Sequence, residues 1–483
     1  MGWAVFDVVL LYAVQFLTMF RAITRENREP ASRVSWMLVI LALPGIGLLL
    51  YFLLGETSFG RRTFERMQTI LKRLPVLPPK PEFDDMVETT GIEGLPPLVR
   101  GAFARAAAVN RFQVTNGNRA DLMANEDDMI ETLVADIDAA RDHVHLLFYI
   151  WLIDRNGTRV VDALIRAARR GVTCRCLVDG LGSRPLIRSV HWTRLAGAGV
   201  HCGIAFDTRV PLLRLLFGRI DIRNHRKIIV IDGQTSYCGS QNCADPAFLI
   251  KKKYAPWVDI MVRLDGPVTW QLQQIFVTDW MSHTSEDIEA VLHRTVRTYP
   301  SGFSAIAIGS GPGISHNSVP DVFNQVLASA QDEVIITTPY YVPSTAVQEQ
   351  IRSTALRGVS VTMVVPRKND SRFVALASHS FYRQLLRAGV RLMEYGPGLL
   401  HAKTLTVDGQ LCLMGSANLD RRSFELNFEN NLLFFDDDLA TDIRARQQSY
   451  IARSVEITLA EVEGWSWRKR LLNNLVATLG PVL

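Results

Sequence analysis

HRKIIVIDGQTSYCGSQN (225–242) and HAKTLTVDGQLCLMGSAN (401–418) are one pattern written twice in a single chain. Both fit H-x-K-x4-D-x6-G-S-x-N, with His225, Lys227, Asp232, Gly239, Ser240 and Asn242 in the first copy and His401, Lys403, Asp408, Gly415, Ser416 and Asn418 in the second. Residues two apart on a strand project from the same face, so each histidine is expected beside its lysine. The apolar IIVI and TLTV runs read as strand, Asp-Gly as a turn, and the following run as a returning strand. That hairpin brings serine and asparagine back to the histidine.

Those residue types suit a phosphate. Lysine supplies positive charge, serine and asparagine supply hydrogen bonds to phosphoryl oxygens, and histidine can attack phosphorus or move a proton at neutral pH. Two copies supply two histidines. One can carry a covalent phosphohistidine while the other protonates the leaving alcohol and later deprotonates the incoming one. This scheme calls for no metal and no cofactor. A reactive histidine also needs its far nitrogen oriented by a carboxylate. Asp259 in PWVDIMV and Glu429 in NFENNLL, each in a strand-like run downstream of a motif, are the candidates. The candidate catalytic set is therefore His225, Lys227, Asp232, His401, Lys403 and Asp408, with Ser240, Asn242, Ser416 and Asn418 to bind substrate. Asp232 and Asp408 stand at the turn, where holding local structure or pairing with neighbouring groups is the favoured role.

The repetition extends beyond the motif. ARDHVHLLFYI (140–150) echoes AQDEVIITTPY (330–340), LIRAARRGVTCRCLVD (164–179) echoes TALRGVSVTMVVP (354–366), and LAGAGV (195–200) echoes LRAGV (386–390). Each echo is ordinary helix–turn–strand grammar, but three in one order, each series ending in the same composite motif, mark a duplicated α/β domain. The first half carries extra residues within IAFDTRVPLLRLLFGRIDIRN (204–224). Its leucine–arginine mixture fits either a packed amphipathic helix or an interfacial one. The tail WSWRKRLLNNLVATLGPVL (465–483) has the same grammar.

The N-terminal end is a membrane device. Trp3 to Phe20 contains one charge, Asp7, and Ser35 to Leu54 contains none. A spanning helix needs about 20 residues to cross roughly 30 Å of hydrocarbon. No basic leader precedes the first run and arginines follow it, so two retained N-terminal transmembrane helices are expected rather than a cleaved signal. Pro44, Gly45 and Gly47 should bend the second run. Basic residues flank both runs, so the positive-inside rule leaves orientation open between two crossings and a shallow hairpin. With 48% hydrophobic and 21% charged residues the 483-residue chain is ordinary globular material, and general disorder is excluded. The net charge of +5 is mild. Six cysteines without C-x-x-C pairs read as buried thiols, which favours a reducing compartment and hence the cytoplasmic face of a membrane.

The two motifs resemble those of the phospholipase D superfamily. Together with the N-terminal apolar runs, TTPYYVPS (337–344), PRKNDS (366–371) and GSANLDRRSFELNFE (415–429), they are similar to the bacterial cardiolipin synthases over essentially the whole chain. The resemblance implies two α/β halves around a shared cleft and a multi-pass inner-membrane protein. It also implies phosphatidyl transfer from one phosphatidylglycerol to another, giving cardiolipin and glycerol through a phosphatidyl-histidine. It carries the histidine-orienting acid onto Glu429, leaves Asp259 less well matched because KKKYAP looks inserted before it, and favours His225 as nucleophile. The competing activities are a phospholipase D-type hydrolase or a transferase with another alcohol acceptor. A nuclease fits poorly, because the chain has no basic-aromatic tract suited to single strands, so lipids rather than nucleic acid are the expected partners. The expected organisation is a membrane anchor (1–58), a juxtamembrane linker (59–100), two phospholipase D-like domains (101–290 and 291–460) and an amphipathic tail (461–483).

Overall fold

The computed structural model describes residues 2–25, 30–55, 60–76, 91–207, 219, 221–314 and 318–478. Most of the leucine–arginine insert of the first half (208–218) lies outside the described residues.

Each half is built by the same chain path. In the first, the strands run across the sheet in the order Thr115–Leu122, Met261–Asp265, Thr235–Gly239, Lys227–Ile231, His143–Phe148, Thr173–Asp179 and His201–Ala205. In the second the order is Phe303–Ser310, Asn427–Phe435, Leu411–Gly415, Thr404–Val407, Glu333–Thr337, Ser360–Pro366 and Arg391–Tyr395, with Ser454–Ile457 added at the edge. Thr115–Leu122 and Phe303–Ser310 pair antiparallel, so the halves join edge to edge in one sixteen-stranded sheet among the described residues. The echoes found in the sequence occupy matching places: the helices Arg155–Arg169 and Thr345–Leu356 each lead into a strand that pairs parallel with the strand next to the motif hairpin.

Burial explains why the central strands read as unbroken apolar runs rather than alternating ones. His143–Phe148, Lys227–Ile231, Thr404–Val407 and Leu411–Gly415 are buried at every residue, because helices cover both faces of the sheet. Each fully buried valine, leucine or isoleucine contributes about 1.5–3 kcal/mol, so the long core shared by both halves holds the cleft rigid.

At the N-terminus, Gly2–Thr24 is one helix, and its Phe6–Thr24 segment is long and apolar enough to cross a membrane. The second apolar run is not one spanning helix. It breaks at Pro44–Gly45 into Pro30–Ala42 and Ile46–Leu54, of 13 and 9 residues, where a bend was expected. Leu48 and Tyr51 fold back on Trp36 and Ile40, and Gln15 Nε2 donates to the Ile40 carbonyl (2.8 Å), which ties the second run to the first helix.

Candidate active site

The backbone decides the site before any side chain does. Immediately before His225, the two-residue strand Arg223–Asn224 pairs with Asn427–Phe428 of the other half. Immediately before His401, Leu399–Leu400 pairs with Trp257–Val258. His225 N then donates to the Phe428 carbonyl (2.9 Å) and His401 N to that of Val258 (2.7 Å). Each histidine is thus set beside the residue that follows the pairing, and that residue is the acid of the opposite half. His225 Nδ1 lies 2.9 Å from Glu429 Oε2, and His401 Nδ1 lies 2.6 Å from Asp259 Oδ1. A carboxylate accepts only, so each Nδ1 carries the proton and each Nε2 presents a lone pair. The acids were expected downstream of their own motifs; the structure brings both to the site but exchanges them between halves.

Both histidines line one cavity of about 460 Å³, together with Asn242 and Asn418. Lys227 and Lys403 stand behind them, each donating to the carbonyl of its own motif histidine (2.6 and 2.5 Å). The histidines occupy the short connections between strands rather than strands themselves, so the shared face is kept by these lysine–carbonyl bonds. Asn242 is oriented by accepting from Ile150 N (3.1 Å), and Asn418 by donating to Ser423 Oγ (3.0 Å).

Four predicted residues do other work. Ser240 and Ser416 were expected to bind substrate, yet both are fully buried away from the cavity. Ser240 Oγ donates to Asp259 Oδ1 (2.5 Å) and Ser416 Oγ to Glu429, so each serine holds its own half's acid against the other half's histidine. Asp232 and Asp408 were placed in the catalytic set, and the structure removes them from it. Asp232 accepts from the backbone N–H groups of Arg141, Asp142 and His143, and Asp408 from those of Gln331, Asp332 and Glu333. These are the repeated segments 140–150 and 330–340, which explains why the echo starts there. Both aspartates adopt a left-handed backbone (φ 53° and 51°), which a short polar side chain tolerates better than most. The motif glycines answer to close approach. A Cβ on Gly239 would meet the Ile260 carbonyl at 2.3 Å, and one on Gly415 the Asn430 carbonyl at 2.4 Å.

Burial sets the charge states. It pushes His225 down to about 4, against the opposing pull of Glu429, and His401 is lowered by the same cause against Asp259. Burial alone would raise Glu429 and Asp259, but the histidine, lysine and serine each one faces outweigh it and hold both carboxyls low. The resting site is therefore two neutral imidazoles on two carboxylates. Burial also brings Lys227 to about 8 and Lys403 to about 7.

Sequence reasoning missed the aromatic walls. The Tyr149 ring packs on His225 and the Trp257 ring on His401, both with centroids 4.7 Å apart, and Phe248 stacks on Trp257 at 3.9 Å. Arg223 also lines the cavity; its place two residues before His225 was the available signal.

A duplicated α/β chain that closes two such histidines on one cleft has the architecture of the phospholipase D class. Consistent with this at the level of fold, the chain superposes on the phosphatidylserine synthase of Haemophilus influenzae Rd KW20 with a TM-score of 0.58 at 14% identity, covering 87% of this chain and 100% of that one. The family described as cardiolipin synthase, PLD-like domain, matches twice, over residues 133–280 and 323–450, and a phospholipase D-nuclease N-terminal family matches residues 3–56. Cardiolipin synthase A of Proteus mirabilis (strain HI4320) is 35% identical over 472 residues, covering 95% of this chain and 94% of that protein. Cardiolipin synthase A of Yersinia pseudotuberculosis serotype O:1b (strain IP 31758) is 35% identical over 455 residues, covering 93% and 91%. The chain belongs to the cardiolipin synthase family of phospholipase D-like enzymes. It is a phosphatidyltransferase that acts on membrane phospholipids.

Proposed function

We propose that the cross-paired histidines carry a two-step phosphatidyl transfer between two phosphatidylglycerol molecules. The observation that carries this reading is geometric: both histidines line one cavity while both Nδ1–H groups are held by carboxylates of the opposite halves. In the first step Nε2 of one histidine attacks the phosphorus of the donor lipid. As the anionic phosphodiester enters, Nε2 of the second histidine takes up a proton; the P–O bond to the head-group glycerol breaks, and that proton passes to the leaving glycerol oxygen. In the second step that same histidine takes the proton from a hydroxyl of the acceptor lipid. The alkoxide attacks the phosphatidyl-histidine, giving cardiolipin and restoring the enzyme.

We assign the attack to His225, whose neutral form is favoured down to about pH 4, and the proton transfers to His401. Lys227, Lys403, Asn242 and Asn418 stabilise the charge on the phosphoryl oxygens. Ser240 and Ser416 are positioning residues acting through Asp259 and Glu429. Transfer to a lipid rather than to water asks that the cleft hold the acceptor and shed solvent, which the Tyr149, Trp257 and Phe248 walls favour.

The N-terminal helices anchor the chain as a multi-pass element of the bacterial inner membrane, with the catalytic domain on the cytoplasmic face. All six cysteines being free, five of them buried, supports that side. Labelling of a single engineered surface cysteine in intact and permeabilised cells tests it: labelling without permeabilisation would place the domain outside.

The activity test is product analysis of purified protein in phosphatidylglycerol mixed micelles. Cardiolipin with one glycerol released per molecule is expected. Phosphatidic acid as the main product would make water the acceptor and the chain a hydrolase.

A further inference from the structure

The cleft opens among exposed apolar side chains that come from separate parts of the chain. Leu181 is 46% exposed, Ile250 57% and Phe373 60%, and all three line the mouth of the cavity. Leu249, beside Ile250, is 61% exposed. Such residues, singly, are unremarkable on a protein surface, but a cluster around one opening is a contact face.

LIKKKY, which overlaps the KKKYAP stretch that looked inserted, forms one wall of this mouth as a short 3-10 helix, Leu249–Tyr254. It is pinned by the preceding Phe248, buried on Trp257, and exposes Leu249 and Ile250 followed by Lys251, Lys252 and Lys253. Lys251 crosses the mouth to Asp370 of the other half. Lys252 and Lys253 remain at the surface.

The opposite wall continues into the C-terminal helix, Trp467–Thr478. Its Val476 packs in one cluster with Val342 and Ala377, which themselves line the cavity. The face turned away from that contact exposes Trp467 (64%), Leu471 (58%), Leu472 (48%) and Leu475 (59%). Arg468, Lys469 and Arg470 flank it, with Arg468 over the Trp467 ring at 5.6 Å and Lys469 over Trp465 at 3.5 Å. Both walls therefore repeat one grammar, exposed apolar residues next to a basic triplet in the chain, which is the make-up of elements that lie in a membrane interface.

We propose that the LIKKKY wall, Phe373 and the C-terminal helix together form a seat that holds the cleft mouth against an anionic phospholipid bilayer. The proposal rests on the lipid-transfer reading above, and it adds the face by which both lipids enter. Leucine and phenylalanine tips enter the acyl boundary, Lys252, Lys253 and the basic triplet of the C-terminal helix meet lipid phosphates, and each substrate slides from the bilayer into the cavity without crossing water. The basic complement fits an anionic bilayer better than a second copy of the chain, whose matching face would bring like charges together.

Two measurements on the full chain, reconstituted in vesicles of phosphatidylglycerol and phosphatidylethanolamine, test this. A bimane label on Leu249→Cys or Leu475→Cys should be quenched by brominated phosphatidylglycerol. The same label on Glu456→Cys, at the exposed sheet edge, should not. Replacing both leucines in one variant (Leu249→Glu, Leu475→Glu) should lower turnover of vesicle phosphatidylglycerol by about tenfold or more, since charge at these depths opposes seating. Turnover of monomeric short-chain phosphatidylglycerol should stay within about twofold, because surface changes of this kind leave the fold intact. Equal loss on both substrates, or no quenching above the Glu456→Cys control, overturns the seat. Absent quenching with an oligomer that dissociates in the double variant would hand the face to a second copy, and overturns it equally. Quenching without cardiolipin formation by the unaltered protein would keep the seat and remove the transferase reading.

Discussion

The two histidine corners share a plan and differ in support. At both, a short strand before the histidine pairs with the other half, a carboxylate of that half takes Nδ1, and a serine fixes the carboxylate. The residue between histidine and lysine breaks the likeness. At the first corner it is Arg226, 1% exposed, whose guanidinium meets Asp279 Oδ1 (2.5 Å) and donates to the carbonyls of Glu429 and Ser310 (both 3.0 Å). At the second it is Ala402, and the support comes from Trp257 stacked between His401 and Phe248. A ring packs on the histidine at both corners, but the first adds a buried ion pair and the second a stacked second ring. Duplicated chemistry needs the histidine, its acid and the phosphate-binding groups in both copies; how the corner is stiffened is free to diverge.

The strongest test of the shared plan removes the histidines singly. His225→Ala and His401→Ala should each cut cardiolipin formation by about 10³-fold or more, because each step needs both groups. A variant that keeps substantial activity would show that one corner is dispensable.

The exchange of acids between halves is tested next. Glu429→Gln should reproduce the His225→Ala defect and Asp259→Asn that of His401→Ala, each with a loss of about 10²–10⁴-fold. With His225 as nucleophile, rapid-quench trapping should find no phosphatidyl-enzyme in Glu429→Gln, whereas Asp259→Asn should impair the proton transfers. The opposite pattern would pair each acid with its own half.

The difference in support makes a stability prediction. Arg226→Met leaves Asp279 buried without its ion partner, at a cost of about 3–5 kcal/mol read by calorimetry or denaturant unfolding. The matching change at the other corner, Ala402→Ser, has no such charge to strand and should cost far less. At the hairpin turns, Asp232→Ala and Asp408→Ala each strand three backbone donors and should lower stability by about 1–3 kcal/mol without altering which products form.

The smallest effect concerns pH. The lysines proposed to bind phosphate must be protonated to do so, and they lose the proton as pH rises through about 7 at Lys403 and about 8 at Lys227. In the free enzyme kcat/KM should therefore fall on the alkaline side, starting at the second corner. Lys403→Arg, which stays charged, should shift that limb upward. An unchanged limb would show that neither lysine's titration limits the reaction.

Much of this was legible in the chain. The two motifs, the duplicated helix–strand echoes and the bend at Pro44–Gly45 all rest on local patterning, and local chemistry dictates them. The acids themselves were found too, by their place in apolar runs. What misled was treating every motif residue as a contact with substrate. Serine and aspartate in a pattern can equally be spent on a neighbour's carboxylate or a turn's backbone, and spacing alone does not separate those uses.

By itself, then, the sequence determined the unit: a hairpin with histidine and lysine at its mouth, an Asp-Gly turn at its end, and a second copy farther along. Only the tertiary structure decided which acid serves which histidine. That choice is made by the backbone pairing of Arg223–Asn224 with Asn427–Phe428 and of Leu399–Leu400 with Trp257–Val258. Those contacts join residues far apart in the chain, and they form only when the two halves pack edge to edge. No pattern within either half can encode them.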